Sequence, residues 1–161
     1  MKTTLEEAKE NNHKDLVNNL QELLEKNYDA EKGFTKAMED AKNAELKQFL
    51  KRQAAQRGQF VNELDKEIRS LNETPKDSGS FTGTAHRAWI DVKTAFTGKD
   101  DEAVLEECLR GEKASVEEYK ERLQKNNFPP QVQTVLNNQL SSIKNSVAKV
   151  KTLENIADAW S

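Results

Sequence analysis

The feature that most constrains this chain is a set of four long stretches in which apolar residues return at three- and four-residue steps, each interrupted by polar side chains on the same face. Leu16, Leu20, Leu23, Ala30, Phe34, Ala37 or Met38, and Ala41 make the first stripe, and Leu46, Leu50, Gln53, Arg57, Phe60, Leu64, Ile68 and Leu71 the second. Leu105, Cys108, Glu112, Val116, Tyr119 and Leu123 make the third. The fourth holds Val132, Leu136, Gln139 or Leu140, Ile143, Val147 and Val150, with Leu153 or Ile156 beyond. Such spacing places each set on one side of an α-helix. It predicts an all-α chain with long helices over 14–42, 44–71, from Asp100 or Asp101 to about Leu123, and from Pro129 or Pro130 to about Leu153. A helix with one apolar stripe must bury it against others, and four such helices solve the problem together as a bundle.

The connections set the order of packing. Only a short joint near Asn43 separates the first two helices, so they form an antiparallel hairpin. NETPKDSGSFTG, residues 72–83, is loop by its Pro, Gly, Ser and Asp content. Thr84 to Phe96 then reads as a short amphipathic helix with Ala85, Trp89, Val92 and Phe96 on one side, closed by Gly98. Asp100 or Asp101 caps the third helix, and Pro129 and Pro130 open the fourth after NNF. A hairpin, a long crossover carrying a helix, and a second hairpin form the single-crossover arrangement of ferritin-like bundles. The expected organisation is an N-terminal extension over 1–13, the bundle domain over 14–153, and a tail over 154–161 that continues the fourth helix.

Composition excludes several classes of function. Basic residues (25) and acidic residues (28) are mixed along the chain for a net charge of -3. No basic face therefore announces nucleic acid or anionic lipid. The single cysteine, Cys108, forbids an intrachain disulfide framework and a cysteine-based zinc cage. No stretch approaches the roughly 20 apolar residues that span a bilayer, and the first residues lack the apolar core of a secretory signal. The expectation is a soluble, cytoplasmic protein with no nucleic-acid or membrane partner.

Four short runs, Gln56-Arg57-Gly58-Gln59-Phe60, Asp77-Ser78-Gly79-Ser80, His86-Arg87-Ala88-Trp89 and Leu105-Glu106-Glu107-Cys108-Leu109-Arg110-Gly111-Glu112, carry a family resemblance. Over about Lys14 to Leu153 the chain resembles an uncharacterised bacterial family, a domain of unknown function grouped with the ferritin-like proteins. That resemblance implies a ferritin-like four-helix bundle with no established activity and a connection with stress.

The polar residues inside the stripes bear on chemistry. A di-iron or di-manganese bundle takes one Glu from each of two helices and a Glu-x-x-His pair from each of the other two. Glu31 and Glu112 stand where single Glu ligands belong, but Arg57 and Gln139, the latter with Ser142 and Ser146 following, occupy the stripes that would need histidine. The one Glu-x-x-His, Glu10 to His13, lies in the polar segment ahead of the bundle. A guanidinium stays protonated and cannot coordinate a cation, whereas its planar fork can hold two carboxylates. The reading is a buried polar layer in which Arg57 bridges Glu31 and Glu112, completed by Gln139 or a neighbouring serine. Against it stands a surface-snorkelling Arg57, or a divergent iron or manganese site using Glu31, Glu107 and Glu112. No cofactor is expected on the first reading.

Gly33, Gly58 and Gly111 sit beside this layer, each at a helix-propensity cost of about 0.8–1.0 kcal/mol relative to Ala. They provide either close helix packing or a small cavity. Cys108 on a buried stripe reads as a small hydrophobe. His86, Arg87 and Trp89 read as anchors of the crossover. Leu153, Ile156, Ala157 and Trp160 either cap the bundle's end or, with Leu5 and Ala8, meet a second copy in a homodimer. Together these readings describe a non-enzymatic binding or structural protein, with metal-dependent oxidase or storage activity as the alternative.

Overall fold

The computed structural model describes residues 3–76 and 101–160, side chains of 158–160 excepted, and these residues form helices with no strand. The expected crossover helix over 84–96, with His86, Arg87 and Trp89, lies outside the described residues, as does the side chain of Trp160. Four long helices, α1 (Thr4–Asp40), α2 (Ala44–Ser70), α3 (Asp101–Lys125) and α4 (Pro130–Lys149), precede a short α5 (Leu153–Trp160).

Helix α1 begins ten residues earlier than the apolar stripe implies, because Thr3 and Glu6 form a capping box. Glu6 N donates to Thr3 Oγ1 at 3.1 Å, and Thr3 N donates to Glu6 Oε2 at 3.0 Å, so two otherwise orphaned N–H groups are satisfied. The expected N-terminal extension is therefore the exposed first turns of α1, with Leu5 65% exposed. At the other end Asn43 caps α2 through its side chain, which accepts from Leu46 N at 3.0 Å. The same turn receives α3: Asp101 accepts from Lys42 N at 3.0 Å and from Asn43 N at 2.6 Å.

Those bonds place the start of α3 beside the α1–α2 turn, and the shared apolar clusters set the direction of α4. α1 runs up to the turn, α2 and α3 both start there and run down, and α4, opened by Pro129 and Pro130, runs back up.

The fourth helix does not continue into the C-terminal residues, as its stripe suggested. Val150 takes an extended conformation (φ -129°, ψ 97°) and α4 stops at Lys149. Thr152 then starts α5, its hydroxyl accepting from Asn155 N at 3.1 Å and its carbonyl from Ile156 N at 3.2 Å. The break turns Ile156 inward, to 0% exposure, against the apolar cluster that holds Phe49 and Val150.

Two apolar clusters fill the interior. The upper one takes Ala30, Phe34 and Ala37 from α1, Leu46 to Leu50 from α2, Val104 to Leu109 from α3, and Val150 and Ile156. The lower one takes Leu20 to Leu24, Phe60 to Ile68, Tyr119 and Phe128, and Val132 to Ile143. On each of the four long helices a polar residue falls where one cluster gives way to the other: Asn27, Arg57, Glu112 and Ser146.

Candidate functional site

Among the described residues Arg57 is the largest side chain under 2% exposed. A buried guanidinium needs a counter-charge and acceptors for its N–H groups. Its Nη2 donates to Glu112 Oε1 in an ion pair and to Ser115 Oγ at 3.0 Å, while Nη1 donates to Asn27 Oδ1 at 2.7 Å. The Phe60 ring, one helical turn below on α2, lies 5.9 Å from the guanidinium carbon, within range of a cation–π attraction.

The network continues downward. Asn27 Nδ2 donates to Tyr119 Oη at 3.0 Å and back to Leu23 O at 2.8 Å. Tyr119 in turn donates to Gln139 Oε1 at 2.7 Å, and Gln139 Nε2 donates to Glu63 Oε1 at 3.0 Å. Burial pushes the Tyr119 hydroxyl up to about 12, outweighing the attraction of Arg57 and the Asn27 hydrogen bond, so it stays a neutral donor. Beside the layer Gln53 Nε2 donates to Ser146 Oγ at 3.2 Å, which itself donates to Ser142 O.

Of the expected layer, Arg57 and Glu112 meet directly, and Gln139 joins through Tyr119 and Asn27 rather than by touching the guanidinium. Glu31 does not meet Arg57. Its carboxylate lies instead over the bare backbone of Gly58, where a Cβ built on the glycine would stand 3.2 Å from Oε2. Asn27, one turn earlier on α1, takes the position proposed for Glu31. The reason is depth: Asn27 is 0% exposed and points into the interior, while Glu31 is half-buried at the α1–α2 seam. Polar interruption of the stripe could have pointed to Asn27 as readily as to Glu31. Ser115 and Glu63 lie off the stripes and carried no such signal.

The alternative ligand set does not converge. Glu107 pairs with Arg110 on the exposed side of α3, with Arg110 Nε donating at 2.9 Å. Glu112 is taken by Arg57, and Glu31 sits over Gly58. Among the described residues no group of three or more His, Cys, Asp or Glu side chains is placed to hold a metal ion. A di-iron or di-manganese centre therefore does not fit this donor set, because a permanent cation already occupies the carboxylate that would serve it. Cys108 is fully buried, and burial, then the charges of Glu112 and Glu107, push its thiol well above its ordinary range. That makes it a packing residue rather than a nucleophile.

On the flank of the layer, Glu118 accepts from Arg122 Nε at 2.8 Å and pairs with Lys26 at 3.2 Å. Burial would raise the Glu118 carboxyl, but its hydrogen bond and charge pairing with Arg122, and then Lys26, hold it below the usual carboxylate range.

The geometry defines an all-α protein whose interior is divided by an arginine-centred hydrogen-bond network. Residues 15–125, from early α1 to the end of α3, match the model of the family described as "Domain of unknown function (DUF2383)", and the chain belongs to that family. No curated protein matches the chain. No helix among the described residues is long and apolar enough to cross a membrane.

Proposed function

We propose that this chain is a ferritin-like four-helix bundle, with its domain over 14–153, that works without a di-metal centre as a non-enzymatic binding or structural protein of the cytoplasm. The observation that carries the reading is the Arg57–Glu112 pair at the junction of the two apolar clusters. In a metal-binding bundle that junction is where inward-facing carboxylates and histidines converge. Here a guanidinium supplies the positive charge permanently, with no open coordination position and no redox chemistry of its own. The common starting end of α2 and α3 at the α1–α2 turn supports the ferritin-like assignment, since parallel second and third helices belong to the single-crossover arrangement. The stress connection rests on the family resemblance alone.

The test is metal content by plasma mass spectrometry on untagged protein from cells supplemented with iron and manganese, followed by a ferrous oxidation assay. The expected result is metal at contaminant level and no oxidation above the buffer rate. Near-stoichiometric iron or manganese, lost on Glu112→Gln, would overturn the reading in favour of a metal-dependent bundle.

A further inference from the structure

Charges that alternate along the chain are sorted where α3 packs on α4. Lys113 and Lys120 of α3 stand on one bank of a groove, and Lys144 of α4 and Lys151, just past its end, on the other. All four are exposed, and seven residues of helix put about 10 Å between Lys113 and Lys120 along their bank. The floor between the banks is Val116, Val147 and Ala148, and it continues past Lys113 and Lys151 to Leu109. Val116 and Val147 are only half-buried, although both belong to the apolar stripes of their helices.

The positive charge of this groove is uncommitted. Among the described residues Lys113, Lys144 and Lys151 make no ion pair through their side chains, and Lys120 meets only Glu117 on its own helix, at 3.8 Å with the two side chains 48% and 76% exposed. Glu117 is the one carboxylate in the lining, and an exposed pair of that kind is weak and readily exchanged for another carboxylate. In a chain of net charge -3, four lysines against one glutamate make a local reversal of sign.

An apolar floor between two basic rows is the complement of a helix whose apolar stripe is flanked by carboxylates. A second copy seated groove to groove would set lysine against lysine. Nucleic acid draws on arginine forks and aromatic platforms, and the groove lining holds neither. A bilayer surface would meet half-buried valines where projecting leucine or aromatic side chains are needed.

We propose that the α3–α4 groove docks an acidic amphipathic helix of another protein, with its apolar residues on Val116 and Val147 and its carboxylates on Lys113, Lys120, Lys144 and Lys151. The inference deepens the binding-protein reading above by naming the class of partner, and rests on it. The probe is a labelled synthetic peptide of about fifteen residues, four helical turns, with leucines at three- and four-residue steps and glutamates beside them, followed by fluorescence anisotropy against the full-length protein. A peptide of the same composition in scrambled order keeps the charge and loses the stripe. The striped peptide is expected to bind saturably and at least about tenfold more tightly than the scrambled one, with affinity falling as salt rises. Lys113→Glu with Lys144→Glu, both at exposed positions, should weaken that binding at least about tenfold while leaving the thermal melt in place.

Equal binding of the two peptides would overturn the proposal, as would unchanged affinity in the Lys113/Lys144 double variant. Tighter binding to vesicles of phosphatidylcholine with phosphatidylserine than to the striped peptide would also overturn it, by making the groove a lipid-facing surface. A dimer seen by light scattering and dissolved by the double variant would overturn it in favour of a contact between copies. Failure of the peptide with a metal-free protein leaves the arginine-centred reading standing. A metal-loaded protein would remove that reading whatever the peptide does.

Discussion

Arg57 on α2 and Glu112 on α3 face each other across the middle of the interior, each side chain 1% exposed. They are joined by an ion pair and tied to α1 through Asn27. Desolvating two charges costs several kcal/mol per ion, and their attraction repays this only when the remaining hydrogen-bond groups are satisfied. Satisfaction here is incomplete, since Arg57 Nε and Glu112 Oε2 have no hydrogen-bond partner among the described residues. The pair is therefore better understood as a device that sets the register of α1, α2 and α3 than as a large source of stability.

Removing one partner has a different consequence from never having had either. Arg57→Ala strands the buried Glu112 carboxylate and Asn27 Oδ1 without their partner, and a loss of about 3–5 kcal/mol is expected. Arg57→Met with Glu112→Leu removes both charges and should recover roughly half of that loss or more, because apolar pairs of similar volume often match buried ion pairs. Urea denaturation of the three proteins measures it. A loss under about 0.5 kcal/mol for Arg57→Ala would mean that water reaches the pair.

How much of this was legible before the structure follows from what helical periodicity records. It records faces, so the long helices, the α1–α2 hairpin and the polar positions at Arg57 and Glu112 were all readable. It does not record depth: Asn27 and Glu31, four apart, share a face of α1, and only the packing decides that the first is buried while the second rests on Gly58. Nor does it record breaks that preserve the period. Val147, Val150 and Ile156 continue a helical rhythm through the extended backbone at Val150, where only the Thr152–Asn155 cap marks a new start. The early start of α1 had the opposite problem, a local capping signal at Thr3 and Glu6 with almost no apolar stripe behind it.

Gly58 offers a test in the stabilising direction. Glycine in a helix interior is worse than alanine by about 0.8–1.0 kcal/mol, and the added methyl would meet only the end of the Glu31 side chain, 3.2 Å from Oε2. That carboxylate makes no hydrogen bond with Arg57, so it can swing aside by the few tenths of an ångström required. Gly58→Ala is expected to raise stability by up to about 1 kcal/mol. A loss on substitution would show that the Glu31 carboxylate is held in place more firmly than its hydrogen bonding indicates. A control, Gly58→Ala in a Glu31→Ala background, should give the full propensity gain.

The alkaline limb of the stability profile reports on two buried groups at once. Cys108 and Tyr119 are both raised above their ordinary values of 9.0 and 10.0, in each case first by burial. The unfolded chain therefore releases these protons before the folded one does, and stability must fall as pH rises. The decline begins near the ordinary thiol value and steepens near the ordinary tyrosine value, with each group contributing a slope of up to about 1.4 kcal/mol per pH unit. Below that window both groups are neutral in both states and add no slope. Cys108→Ala should flatten the profile first, just above its onset, and Tyr119→Phe should flatten it about one unit higher. Tyr119→Phe should also lower stability by about 1–3 kcal/mol at neutral pH, since it leaves Gln139 Oε1 buried without its donor. The measurement is denaturant unfolding of the three proteins from neutral pH upward. Parallel profiles for Tyr119→Phe and the parent would mean that the tyrosine ionises equally easily in both states, and that the hydrogen-bonded column from Asn27 to Gln139 is open to solvent.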